Sequence, residues 1–159
     1  MILRILLIVP FFVAAIAGAK AQPRTPTAQE IAALRACAAK YADDVVEGEQ
    51  QCLFNLVAAP CVNAPGGAGN LDTADCYRVE QAAWDGLLNE AYKALHDDLD
   101  AGQAAKLRDM QRAWIAYRDT TCGFYSEKAR GSMAIPMASA CAARETARRA
   151  LLLKFFAGL

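Results

Sequence analysis

Six cysteines constrain the fold of this chain more than any other feature. They are Cys37, Cys52, Cys61, Cys76, Cys122 and Cys141, and all lie beyond the first 21 residues. An even cysteine count in an exported chain is typical of a disulfide framework. Cys122 and Cys141 flank a predicted turn at Gly131, so we expect that pair. Cys37 with Cys52 and Cys61 with Cys76 are the most local pairings of the rest, but the other two pairings of those four stay open.

The first 21 residues predict export. A basic start containing Arg4 is followed by an apolar run from Ile5 to Ala17, and Ala19 and Ala21 supply the small residues of a cleavage site. The run falls short of the ~20 residues that span a bilayer comfortably. A retained membrane anchor is the alternative. We expect a signal peptide over residues 1–21 and a periplasmic or secreted protein with no membrane span after cleavage.

Apolar spacing after the signal predicts an all-α domain. Residues recur at steps of three and four, and no segment alternates with period two. Thr27 and Glu30 form a capping-box pattern at the start of a helix that we expect to reach Val46. Further helices are expected over residues 49–58, 72–100, 103–128 and 136–155. We predict a small disulfide-stapled bundle of about four to five helices, in which a short turn at Gly102 makes the two longest helices antiparallel neighbours.

The segment from Leu107 to Cys122 predicts a central helix. Its side chains Leu107, Met110, Trp114, Tyr117 and Thr121 share one side of a helix, which we expect to face the core. Arg118 lies one turn after Trp114, where its guanidinium is expected either to stack on the indole or to bond to a facing helix. Asp119 is expected to pair with an arginine of the last helix, Arg144 or Arg148. We interpret these polar residues as a buried network that aligns the helices; a binding surface is the alternative.

Composition gives no support for catalysis. His96 is the only histidine, and no Ser or Cys lies in a nucleophile-elbow pattern. We therefore expect a non-enzyme with no cofactor and no metal ligands, and we interpret His96 as a solvated helix residue. Removing Arg4 and Lys20 with the signal leaves 15 basic and 17 acidic residues. Nothing in that balance indicates nucleic acid, whose binders normally carry a concentrated basic face, so we expect no nucleic-acid partner.

Two acidic clusters lie near predicted helix ends. One contains Asp43, Asp44, Glu47 and Glu49, and the other contains Asp97, Asp98 and Asp100. Carboxylates at a helix C-terminus are mildly unfavourable, because the helix dipole is negative there. Solubility or a basic partner explains them better. We take Asp97, Asp98 and Asp100 as candidate partner-binding residues.

Four motifs in the second half of the chain resemble the LprI-type lysozyme-inhibitor domain family. The helix predicted over residues 72–100 carries an acidic-Leu-Asn-Tyr pattern. The helix predicted over residues 103–128 carries Gln-Arg-x-Trp-x-x-Tyr-Arg, followed by Cys122. A Gly-Ser turn and a Cys-Thr-Arg helix follow, with one glycine before Ser132 where many members have two. The resemblance runs from Cys76 to Leu153. The residues that carry it are Trp84, Asn89, Tyr92, Gln111, Trp114, Tyr117, Arg118, Cys122, Cys141, Thr146 and Arg148.

The resemblance implies an exported, helical, disulfide-bonded protein that binds and inhibits lysozyme. Residues 22–70 would form an N-terminal helical extension that carries Cys37, Cys52 and Cys61, and residues 71–159 the LprI-like domain. Common animal lysozymes are basic, so an acidic patch would favour encounter. Inhibition would occur by steric and electrostatic occlusion. The alternative is a non-catalytic envelope protein, structural or interacting, whose partner is another exported protein or a cell-wall component.

Overall fold

The computed structural model describes residues 24–159, so the predicted signal peptide and its cleavage site lie outside the described residues. The described chain forms six helices and no strand: α1 (Ala28–Lys40), α2 (Val45–Cys52), α3 (Ala58–Val62), α4 (Asn70–Asp98), α5 (Ala101–Lys128) and α6 (Ala134–Phe156). The predicted all-α, disulfide-stapled fold is confirmed. None of the helices within this range is both long and apolar enough to cross a bilayer.

The packing is built around α4 and α6, which run parallel and in close contact along their length. Asn70 Nδ2 donates to Ser132 Oγ at 2.8 Å near their N-terminal ends, and Trp84 and Ala150 line one hollow further along. Helices α1 to α3 cover one side of this pair. Helix α5 returns antiparallel along α6, so it has a single close helical neighbour.

The predicted contact between the two longest helices is therefore only partly right. α4 and α5 are antiparallel and joined by a tight turn, but they diverge and have almost no close backbone contact. The turn lies at Leu99 and Asp100 rather than at Gly102. The break between α4 and α5 ends at Asp100, which caps α5 in a capping box with Gln103. Gly102 therefore lies inside the first turn of α5.

Another capping carboxylate explains the second boundary error. α1 begins at the predicted Thr27–Glu30 capping box but ends at Lys40, because Asp44 starts a new helix. Asp44 Oδ1 accepts the backbone N–H of Glu47 at 2.9 Å. Asp44 and Glu47 thus lie at a helix N-terminus, where the dipole favours negative charge. The interpretation of this cluster as a helix C-terminus is wrong.

Three disulfides join consecutive helices. Cys37–Cys52 links α1 to α2, Cys61–Cys76 links α3 to α4, and Cys122–Cys141 links α5 to α6. The partners are 15, 15 and 19 residues apart, so the most local pairings are the ones formed. Loops of this length contribute about 3 kcal/mol each through lost entropy of the unfolded chain. The predicted turn between α5 and α6 is also present, and Gly131 adopts φ +80° there.

Candidate functional site

A fully buried carboxylate lies on α4, and the sequence pattern did not predict it. Glu80 on α4 is fully buried and accepts three N–H donors. Its Oε1 accepts the backbone N–H of Phe54 at 2.6 Å and the indole N–H of Trp84 at 3.1 Å, and its Oε2 accepts the backbone N–H of Ala58 at 2.8 Å. Desolvation raises the pKa of Glu80, although the three N–H donors oppose that shift.

Glu80 holds the segment between α2 and α3 against α4. Phe54 lies in that segment with φ 65°, a left-handed conformation that is uncommon for a non-glycine residue. Its ring packs edge-on against Tyr77 with centroids 5.1 Å apart. Trp84 itself has no exposed surface and is the largest fully buried side chain. Trp84 and Glu80, one helical turn apart, therefore organise the core where α1 to α3 meet α4 and α6.

Trp114 has a different environment from the one its spacing predicted. It is half-buried rather than enclosed in the core, and its ring lies near two guanidinium groups. Arg118 Cζ is 4.9 Å from the ring centroid and Arg149 Cζ is 5.7 Å from it. The predicted stacking of Arg118 on the indole is thus confirmed. Tyr117 is 53 % exposed, so its predicted core position is wrong; α5 packs closely only on α6, and much of its surface faces solvent.

Arg149 is the buried arginine of α6. It is only 6 % exposed, its Nε donates to Gln111 Oε1, and its buried Nη2 has no hydrogen-bond partner within residues 24–159. Burial lowers the pKa of its guanidinium. The Gln111–Arg149 contact joins α5 to α6, so one polar contact of the expected interhelical network is present.

The other residues expected in that network contact different partners. Arg148 lies on the surface, where its Nε contacts Glu49 at 2.7 Å and its Nη1 contacts Glu145 at 3.1 Å. Asp119 pairs with its neighbour Arg118 at 2.8 Å, and Arg144 lies over the Phe54 ring at 5.6 Å. The predicted pairing of Asp119 with the last helix is therefore wrong. Arg148 and Arg149 are adjacent in sequence, and helical spacing alone did not identify which of them faces α5.

Several motif residues line a shallow groove between the diverging helices α4 and α5. Asn89, Tyr92 and Gln111 share it with Arg108, Arg112 and Ile115. Asn89 is exposed, and its Nδ2 donates to Asp85 Oδ2 at 3.1 Å on the same helix. Because α4 and α5 diverge, side chains expected between two packed helices reach solvent instead.

The three candidate partner-binding carboxylates do lie together, at the turn between α4 and α5. We call Asp97, Asp98 and Asp100 the acidic tip. Asp97 accepts a hydrogen bond from Lys93, which lowers its pKa. Asp100 Oδ1 accepts the backbone N–H of Gln103 at 2.8 Å. Asp98 is exposed and forms no ion pair with any residue of the described range.

His96 lies beside the acidic tip, near Tyr92 and Asp97. Its ring is 5.8 Å from that of Tyr92, and its Nδ1 is 3.8 Å from Asp97 Oδ1. Within residues 24–159, no group of three or more His, Cys, Asp or Glu side chains is arranged to hold a metal ion.

Charge is strongly segregated along the described chain. Residues 24–100 carry thirteen acidic and five basic side chains, whereas residues 101–159 carry four acidic and ten basic ones. Part of the basic half is neutralised across the fold, since Arg148 contacts Glu49. Helices α2 and α4 carry most of these acidic residues, whereas α1 carries one acidic and two basic ones. We call α2 and α4 the acidic side, which ends at the acidic tip.

The comparisons with known proteins bear on the family. The model of a family described as "Lysozyme inhibitor LprI" matches residues 61–153, which is more than half of the chain. No curated protein and no solved structure matches the chain significantly. The matched range contains Glu80, both tryptophans, the α4–α5 groove, the acidic tip and two of the three disulfides. The chain belongs to the lysozyme inhibitor LprI family.

Proposed function

We propose that this protein binds lysozyme and inhibits it by covering the substrate cleft, without catalysis of its own. The observation that carries the proposal is the match of residues 61–153 to the lysozyme inhibitor family. The segregated charge supports it, because a basic enzyme is attracted to an acidic side and repelled by a basic one. The setting we propose is the periplasm or the cell exterior, where three disulfides persist.

The acidic tip is the part of the acidic side that we propose meets the enzyme first. It projects at a turn between two long helices, and Asp100 is fixed there by two reciprocal capping hydrogen bonds with Gln103, at 2.8 and 3.1 Å. Asp97 and Asp98 are exposed one turn away. Carboxylates at the rim of an interface act mainly on the association rate, so salt should weaken inhibition.

A lysozyme turnover assay with the oxidised protein tests the proposal. We expect saturable inhibition that reaches its maximum near one inhibitor per enzyme and weakens as ionic strength rises. The reduced, unfolded protein is the control for non-specific effects. Absence of inhibition at a large molar excess, across several lysozyme types, would overturn the proposed function.

Substitution of the tip tests its location. D97N/D98N/D100N should weaken inhibition about ten-fold at low salt, chiefly through slower association. Asn is as good an N-cap as Asp, so Asp100→Asn keeps the start of α5. The matched control is D72N/D75N/D85N, which removes three charges from the N-terminal end and the middle of α4 and should cost much less. Equal losses in both variants would argue for general electrostatic attraction instead of binding at the tip.

A further inference from the structure

Helix α5 has an outer side that nothing in the described chain covers. Of its 28 residues only Ala104, Leu107 and Cys122 are buried. Six exposed positions on the side opposite those buried residues carry no charge: Ala113, Ala116, Tyr117, Thr120, Gly123 and Phe124, the last of which also borders a hollow shared with Met137 of α6. They follow at offsets of 3, 4, 7, 10 and 11 residues from the first, which places them on one face. We call these six residues the α5 outer face.

The α5 outer face combines small residues with two large aromatic ones. Tyr117 is 53 % exposed and Phe124 is 58 % exposed. Ala113, Ala116 and Gly123 leave room between them for the close approach of another helix. The face spans 12 residues, which is about 17 Å of helix. An uncharged strip of this length on a surface helix is typical of a contact surface rather than a solvated side.

Charged residues mark both ends of the strip. Lys106 and Asp109 precede it, and Glu127 and Lys128 follow it. Among residues 24–159, Lys106, Glu127 and Lys128 form no ion pair. Asp109 contacts Arg112 at 3.4 Å, but both side chains are at least 75 % exposed, so that pair contributes little. These four charges remain accessible to a partner.

The order of these charges fits a second copy of the same helix. Consider an antiparallel pair in which Ala113 lies opposite Phe124 of the other copy. Moving towards the C-terminus along one helix then corresponds to moving towards the N-terminus along the other. Asp109 then lies opposite Lys128, and Lys106 lies one helical turn from Glu127. The two-fold symmetry repeats both contacts. A parallel pair would instead place each charged residue beside its own copy.

We propose that the α5 outer face is a self-association surface on which a second copy packs its own α5 in the antiparallel direction. Tyr117 and Phe124 of each copy cover the small residues of the other, and the charges at the ends set the register. Equal numbers of acidic and basic residues at the ends favour a second copy over an anionic membrane surface. A strip ~17 Å long is smaller than a standard interface, so we expect a weak dimer.

Sedimentation equilibrium of the oxidised protein, from low-micromolar to millimolar concentration, tests this surface. We expect a monomer–dimer equilibrium. Lys128→Asp should weaken dimerisation at least ten-fold, because two carboxylates then face each other at each end. The charge-swapped variant D109K/K128D should restore it. Arg108→Asp changes the net charge equally but lies on the flank facing α4, so it should leave dimerisation unchanged.

Any of four results would overturn the proposal. In the first, the protein stays monomeric at millimolar concentration. In the second, the dimer persists in Lys128→Asp, and in the third, D109K/K128D does not restore dimerisation. Binding to vesicles of anionic phospholipid, lost in Y117S/F124S and seen without dimerisation, would assign the face to a membrane and also overturn it. Circular dichroism of each variant confirms folding, since every substituted residue is exposed.

Discussion

Trp84 and Trp114 lie on consecutive long helices with similar apolar spacing, yet they occupy different environments. Trp84 has no exposed surface, and its indole N–H donates to a buried carboxylate. Trp114 is half-buried between two guanidinium groups. The difference follows from the neighbours of each helix: α4 packs on α1, α3 and α6, whereas α5 packs closely only on α6. Helical spacing shows which side of a helix faces inward, but not how many helices cover it.

Paired truncation of the tryptophans gives the largest expected contrast. Trp84→Ala should cost about 3–5 kcal/mol, because it opens a cavity in the core and leaves Glu80 with one donor fewer. Trp114→Ala should cost about 1–2 kcal/mol, because its ring is already partly in water. Urea denaturation at neutral pH measures both. Equal losses would show that the two helices contribute equally to the core.

Glu80 should come next in effect. Glu80→Ala removes the acceptor of two backbone N–H groups and the Trp84 indole N–H, and it frees the segment that holds Phe54. Leaving buried donors unpaired costs about 2–4 kcal/mol. The matched control is Glu90→Ala on the same helix, whose exposed ion pair with Arg35 should contribute at most ~1 kcal/mol. A small loss in Glu80→Ala would mean that water replaces the carboxylate.

A smaller effect is expected around Trp114. Gln111→Leu removes the one acceptor that Arg149 has in the described chain and should cost about 1–3 kcal/mol. Arg149→Met removes the buried charge itself and should lie within about 1 kcal/mol of the wild type. In the double variant much of the Gln111→Leu loss should therefore disappear. Additive losses in a double-mutant cycle would contradict this coupling.

The pH dependence of Glu80 should give the smallest effect. Its folded-state pKa is raised by burial, so its contribution to stability is fully present below the unfolded value of 4.5 and is lost as pH rises through the folded value. The stability difference between wild type and Glu80→Gln should therefore be larger at pH 4 than at pH 8. Denaturant curves of both proteins across that range measure it. A difference that grows with pH would mean that the three N–H donors outweigh desolvation.

Local signals in the sequence predicted much of the fold. The capping box at Thr27 and Glu30, the three local disulfides and the Gly131 turn all depend on residues close in sequence, and all are present. Helix ends at Lys40 and Asp98 were missed because Asp44 and Asp100 were interpreted as trailing charges rather than N-caps. The same short carboxylate fits either description until the helix boundary is known.

Residues whose roles depend on distant partners were harder to predict. Glu80 lies one turn before Trp84. An acidic residue beside an apolar stripe is a signal for a buried carboxylate, but we did not predict one at Glu80. Its partners Phe54 and Ala58 are more than 20 residues away, so only the fold identifies them. The groove that Asn89 and Gln111 line was not predicted, because it depends on the divergence of α4 and α5. The acidic tip could be predicted as a cluster, but its role as a binding site remains a proposal.

Fluorescence quenching tests the contrast between the two tryptophans most directly, because the chain contains only these two. Trp114→Phe leaves Trp84 as the sole indole, and Trp84→Phe leaves Trp114. We predict that Trp84 emits at shorter wavelength and resists acrylamide, whereas Trp114 emits at longer wavelength and is quenched several-fold more strongly. Equal quenching of the two folded variants, or stronger quenching of Trp84, would contradict the assignment of Trp84 to the core and of Trp114 to a surface layer.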